Sequence, residues 1–156
     1  MSRISKRVAL TSLVGAVAAG AVAVAVAVAG IASATAPAKP VVDNASARFV
    51  VAPGGDEGVF TFAADVADDS GVKNLKVLAW PNASGLDPTA EEMEYAEKAD
   101  CERVDDEKST CAYSLRVTER ELAETGKGEW TVAALLTGRD GGKKFVPEAA
   151  TVTLDF

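Results

Sequence analysis

The chain has 156 residues, with 16 basic and 23 acidic side chains, a formal net charge of −7 and no histidine. The acidic balance argues against a phosphate-neutralising nucleic-acid surface. The absence of histidine removes Ser-His-Asp and Cys-His catalysis and the common histidine-containing zinc sites.

The hydrophobic residues, 48% of the chain, are unevenly spread. Residues 1–34 hold three bases (Arg3, Lys6 and Arg7), no acid, and a continuous apolar stretch from Val8 to Ala34. A basic start, an apolar core and the small residues Ala32-Ser33-Ala34 are the pattern of a secretory signal peptide, with cleavage expected between Ala34 and Thr35. The stretch is also long enough to span a bilayer as an uncleaved helical anchor, which is the alternative reading. Without residues 1–34 the remaining chain carries 13 bases and 23 acids, a net charge of −10, on a length suited to one domain. Export makes Cys101 and Cys111 an expected disulfide. Ten positions apart, they are too close in sequence for the long-range inter-sheet bridge of an antibody domain.

Residues 35–46 are rich in Pro and Ala and read as a linker, placing the domain at 47–156. A short strand is expected over Ala47–Val51, ended by Pro53-Gly54-Gly55. Val59–Ala67 alternates, with Phe60, Phe62, Ala64 and Val66 on one face, as a half-buried strand requires. Asp68-Asp69-Ser70-Gly71 is a turn into a strand over Val72–Trp80, which Pro81-Asn82 closes. Thr89 and Glu92 have capping-box spacing, so a helix is expected from about Ala90 to Ala99, with Met93 and Ala96 toward the sheet. Cys111–Val117 alternates as a strand, and Thr118 with Glu121 forms a second capping box opening a helical turn. Trp130, Val132, Ala134 and Leu136 share one face of the next strand, followed by the Asp140-Gly141-Gly142 hairpin turn. Two short strands, Lys144–Val146 and Ala150–Asp155, flank Pro147. About seven short strands separated by turns indicate an antiparallel β-sandwich with one short helix between strands.

Several segments carry a resemblance. FTFAADVADDSGVKNLKVLAW and GEWTVAALLTGRDGG resemble the strand-turn-strand pieces of bacterial immunoglobulin-like domains. Together with the Cys101/Cys111 pair and the closing FVPEAATVTLDF, they resemble small secreted actinobacterial proteins grouped as a domain of unknown function. The resemblance implies an immunoglobulin-like sandwich and no assigned activity. The disulfide position and the expected helix depart from antibody-type domains.

Among candidate sites, residues 91–108 hold nine acids and three bases, which a solvated face explains and a cationic partner could also use. Asp65, Asp68, Asp69 and Asp140 are candidate Ca²⁺ ligands if turns at one end of the sandwich converge, although EF-hand spacing is absent. Trp80 and Trp130 are read as core aromatics; Trp80, Asn82 in the following loop, and Lys143 and Lys144 are the candidate exposed contacts. No carboxylate pair is singled out among 23 acids, and no cofactor is expected. The expected function is therefore non-enzymatic binding to a protein or cell-envelope component outside the cell. The alternative is a secreted protease inhibitor presenting the 101–111 loop or Asn82–Pro88.

Overall fold

The computed structural model describes residues 39–156; the expected leader over 1–34 and its Ala34/Thr35 cleavage point lie outside the described residues. Eight strands form two antiparallel four-stranded sheets. The first sheet has the order β1-β2-β6-β5, from β1 (Val41–Val51), β2 (Glu57–Ala67), β6 (Lys108–Thr118) and β5 (Asp100–Arg103). The second has the order β4-β3-β7-β8, from β4 (Glu97–Lys98), β3 (Val72–Pro81), β7 (Gly128–Gly138) and β8 (Lys143–Leu154). A six-residue helix, α1 (Glu119–Glu124), joins β6 to β7.

The core forms where the alternating faces meet. Phe60, Phe62, Ala64 and Val66 of β2 pack with Leu75 and Val77 of β3 and with Val132, Ala134 and Leu136 of β7. The inward face expected for β2 and for β7 is the observed one. β7 is buried on its other face as well. There, Ala133 and Leu135 join Trp80 and Met93 in a second apolar cluster, flanked by Leu78, Ala90, Ala96 and Phe145. This outer cluster lies under the segment between β3 and β4, which explains why the β7 sequence runs apolar without interruption.

Four expectations are corrected. The first strand begins at Val41, so Val41–Ser46 belong to the sheet and not to a linker. A bulge between Asp43 and Ser46 interrupts the hydrophobic alternation there, with Asn44 at a φ of 50°. Asn tolerates that left-handed geometry better than most residues, and its amide donates to Asp65 Oδ2 at 2.9 Å.

The expected Ala90–Ala99 helix is a single 3-10 turn over Glu92–Tyr95. Its capping box does form: Glu92 Oε2 accepts from Thr89 N at 2.8 Å and from Thr89 Oγ1 at 3.0 Å. The helix stops because Glu97 and Lys98 are drawn onto Val77 and Lys76 as β4, and Cys101 is held opposite Cys111. Met93, fully buried, faces the sheet as expected.

The two expected terminal strands are one, β8, because Pro147 sits at an irregularity opposite Ala133 on an edge strand, where its missing N–H breaks no ladder. The count is thus eight strands, since β4 and β5 replace the helix and β8 merges two segments.

Cys101 and Cys111 are disulfide-bonded across neighbouring strands of one sheet. The bridge closes the hairpin between β5 and β6, whose turn is fixed by Asp105 Oδ1 accepting from Glu107 N at 2.9 Å and Lys108 N at 2.8 Å. The double substitution Cys101→Ser with Cys111→Ala is expected to lower unfolding free energy by about 2–3 kcal/mol, read from urea denaturation of the folded protein. An unchanged midpoint would mean the hairpin register is fixed without the bridge.

Candidate functional site

The two ends of the sandwich are built differently. At one end the turns after β2 and β7 are tied together. Asp68, 3% exposed, accepts from Ser70 N at 3.0 Å and also from Ser70 Oγ, while Ser70 Oγ accepts from Asp140 N at 3.0 Å. Arg139 N donates to Gly71 O at 2.9 Å, and Asp68 N donates to Glu107 O at 2.9 Å, adding the β5–β6 hairpin to the same knot. The Asp68 carboxylate lies directly over Gly138, where a Cβ would meet it at 2.5 Å, so this glycine is needed for the close approach.

This arrangement brings Asp68, Asp69 and Asp140 together, with one oxygen of each within 4.8 Å of the others. It does not bring in Asp65, which accepts from Asn44 Nδ2 and, at 3.1 Å, from Thr110 Oγ1 on the first sheet. Asp68 and Asp140 are already engaged as turn acceptors, Asp140 Oδ1 receiving Gly142 N at 2.8 Å. Backbone turn chemistry accounts for the placement of both.

Of the other expected contacts, Trp80, Asn82 and Lys143 have partners within the fold. Trp80 is buried in the outer cluster. Asn82 Oδ1 accepts from Thr131 Oγ1 at 2.7 Å and its amide donates to Glu129 Oε2 at 3.1 Å, fastening the Asn82–Pro88 loop to β7. Lys143 is ion-paired with Glu94, and Lys144 is exposed at the start of β8.

The opposite end is open. β5 pairs with β6 only from Ser109 to Ala112, and β4 pairs with β3 only at Lys76 and Val77. Beyond those points, Tyr113–Val117 of β6 and Leu78–Trp80 of β3 have no further strand on that side among the described residues, and a cleft of about 560 Å³ enters between the sheets. Its walls are Phe49, Phe60, Tyr113 and Leu115 from the first sheet, and Val77, Ala79, Trp130 and Leu154 from the second. Its rim carries Tyr95, Glu97, Arg116 and Glu121.

Local sequence explains the shape. The Phe49 ring lies over Gly58, where a Cβ would collide with it. Phe60 and Tyr113 meet with ring centroids 6.3 Å apart and planes at 59°, an edge-tilted contact that leaves the Tyr113 ring half-buried in the wall. Burial, and to a lesser degree the charge of Glu97, raises the Tyr113 phenol above its ordinary value of 10.0. Trp130 Nε1 donates to Gly126 O at 2.9 Å, which fixes the indole against the cleft. Leu115 and Tyr95 remain 49% and 92% exposed at the mouth.

The alternation of Cys111–Val117 puts Tyr113 and Leu115 on the same strand face as Cys111 and so does not single them out. What uncovers them is the early end of β5, a tertiary event with no local signal.

α1 closes the floor of this end through Leu122, which is buried. Its capping box is complete: Glu121 Oε2 accepts from Thr118 N and Thr118 Oγ1, each at 2.8 Å. The backbone bond from Thr118, then its hydroxyl, lowers the Glu121 pKa below the ordinary 4.5. An acid depressed by folding contributes stability that is full above its ordinary pKa and is lost as pH falls through the lowered value. Thermal midpoints are therefore expected to fall as pH drops below 4.5, and Glu121→Gln, which keeps a neutral cap, to have a shallower acid limb. Superimposable acid limbs would show that the cap does not titrate with folding.

No curated protein and no solved structure matches the chain. A match does exist over residues 42–136, which runs from β1 through nearly all of β7 and so includes most of the cleft wall, while Gly138, Arg139 and Asp140 of the knotted end lie beyond it. By that match the chain belongs to a family of unknown function, DUF5707.

Proposed function

We propose that this protein is an exported, non-enzymatic binding domain that receives an apolar group of its partner in the cleft between its sheets. The observation that carries the reading is the cleft itself, an aromatic and aliphatic slot of about 560 Å³ left open at the end of a sandwich that is tied shut at the other. Of its two carboxylates, Glu97 and Glu121, the second is committed to the helix cap, which leaves no free pair and favours binding over acid–base chemistry. The basic start, apolar stretch and small-residue site of residues 1–34 support export, and a bridged cysteine pair suits an oxidising compartment.

The strand order supports an immunoglobulin-like assignment. The first, second, sixth and fifth strands share one sheet and the third, seventh and eighth the other, with β4 added beside β3. The likeness to small secreted actinobacterial proteins points the same way, toward a partner in the cell envelope or the external medium. Envelope fractions of the producing culture are expected to retain the wild-type protein and to release a Leu115→Arg variant of unchanged circular dichroism. Equal retention of both proteins would remove the cleft from the function.

A second reading, a secreted protease inhibitor, is favoured by the β5–β6 hairpin. Val104 is 67% exposed near its tip, on a loop braced by the disulfide and by Arg103, which bonds to Asp105 O and pairs with Asp106. An inhibitor is expected to suppress the culture's extracellular proteases at near-stoichiometric amounts and to lose that effect on Val104→Asp. Full protease activity in a molar excess of the protein would eliminate this reading.

A further inference from the structure

We propose that the cleft recognises an extended, cationic and apolar polypeptide segment, which adds as a strand to the free edge of β6. The inference rests on the binding function proposed above and specifies the partner class. It starts from the register of the bridged pair. Cys101 and Cys111 stand directly opposite one another with Cα atoms 4.0 Å apart, the narrow spacing of a pair that exchanges no backbone hydrogen bonds. The backbone of Cys111 therefore turns toward β2, and the backbones of Thr110 and Ala112 turn toward β5. Lys108 O agrees with this alternation by accepting from Val104 N at 2.9 Å across the hairpin. Continued past the end of β5, it aims the N–H and C=O groups of Ser114 and Arg116 into the space where β5 no longer runs. Thr118 N, the next donor in the series, is already taken by Glu121.

A guest strand there would continue the line of β5 and be bonded by Ser114 and Arg116. Alternate side chains of the guest would enter the slot between Leu115 and Trp130, as in strand-addition recognition elsewhere. The opposing edge of β3 is a poor host because Pro81 has no N–H to offer.

Charge selects the guest. Glu97 and Glu121 stand on the rim against the one base of its lining, Arg116. Glu91, Glu92 and Glu94 lie beside the rim residue Tyr95 and add to the acidic side, Glu94 being paired with Lys143. A lysine- or arginine-bearing strand is attracted to that rim. A second copy of this acidic chain, at −10 over residues 35–156, is repelled.

The probes are short capped peptides alternating valine with lysine, alternating valine with glutamate, and the valine–lysine peptide with its alternate amides N-methylated on one edge or the other. Each is titrated into the full secreted protein, with amide shifts and tryptophan fluorescence as readouts. The valine–lysine peptide is expected to bind and to shift the Ser114 and Arg116 amides, more weakly as salt rises. The glutamate peptide is expected not to bind. Arg116→Pro, which removes an outward donor while sparing the β2 ladder, is expected to weaken binding about tenfold, as is N-methylation of the guest edge that pairs with β6. Glu97→Lys is expected to weaken it by a similar factor.

Equal binding of the glutamate peptide overturns the charge selection. Binding indifferent both to Arg116→Pro and to methylation of either edge overturns strand addition. Concentration-dependent dimerisation abolished by Arg116→Pro would show that a second copy occupies the edge, and would overturn the proposal. If no peptide binds while the neutral dye Nile red still enters the cleft and is expelled by Leu115→Arg, the strand proposal fails and the binding reading stands. If the dye also fails to enter, both fall.

Discussion

The step at Ala99, where the chain leaves one sheet and joins the other, governs the rest of the structure. Glu97 and Lys98 lie against β3, and a few residues on Cys101 is locked opposite Cys111 on β6. A crossing segment this short cannot cover the full length of either edge. Ala99 N, donating to Leu75 O at 2.9 Å, marks where coverage of β3 begins, and Asp100, paired with Ala112, marks where coverage of β6 ends. Part of each edge is sealed by the crossing, and the remainder is left to solvent as the cleft. The disulfide thus acts on more than stability, because it fixes how far along β6 the covering strand reaches.

The crossing also has to be anchored, and the outer cluster does this. Met93, with no exposed surface, is pressed by the capped 3-10 turn onto Trp80, Ala133 and Leu135. A fully buried methionine contributes on the order of 1.5–3 kcal/mol of transfer free energy. That is enough to hold a segment whose own helix is only one turn long, when a short isolated helix is marginal in water. Lys76, bonded to Glu94 O, and Lys143, paired with Glu94, pin the same turn from the sheet side. Glu91, Glu92 and Glu94 are therefore held beside Tyr95, next to Glu97 at the mouth of the cleft.

The sequence made the core faces of β2 and β7 and the alternation of β6 legible, because each alternates over enough residues for period two to dominate. It also made both capping boxes legible, and both form. What it could not show was how far each box propagates. Thr118/Glu121 opens a true helix because Leu122 finds a buried site behind it, whereas Thr89/Glu92 opens a single turn because the next residues are captured by β3 and by the disulfide. Capping is a local signal and helix length is a tertiary outcome. β1 was hidden for a related reason: the bulge at Asn44 shifts the phase of its alternation, so Val42 and Ala45 both face the core although they are an odd number of residues apart. Of the expected Asp cluster, turn spacing brings Asp68, Asp69 and Asp140 to one end. Asp65 belongs to a different face because one residue of strand phase separates outward from inward.

The contrast between the two ends bears on which of them can act as a recognition surface. At the knotted end, backbone donors and acceptors of three turns are satisfied by one another, and Gly138 lets a carboxylate settle into the backbone itself. A partner arriving there would have to break bonds before making any. At the open end, the backbone groups of Ser114 and Arg116 and the apolar faces of Leu115 and Tyr113 are held by β2 and the core but are not consumed by them. The ordering cost of a rigid host strand has already been met by folding, so a guest strand bears only its own. A free edge of this kind is hazardous, since it also templates self-association. The acidic border supplies the protection, repelling like copies while leaving the edge open to a strand of opposite charge.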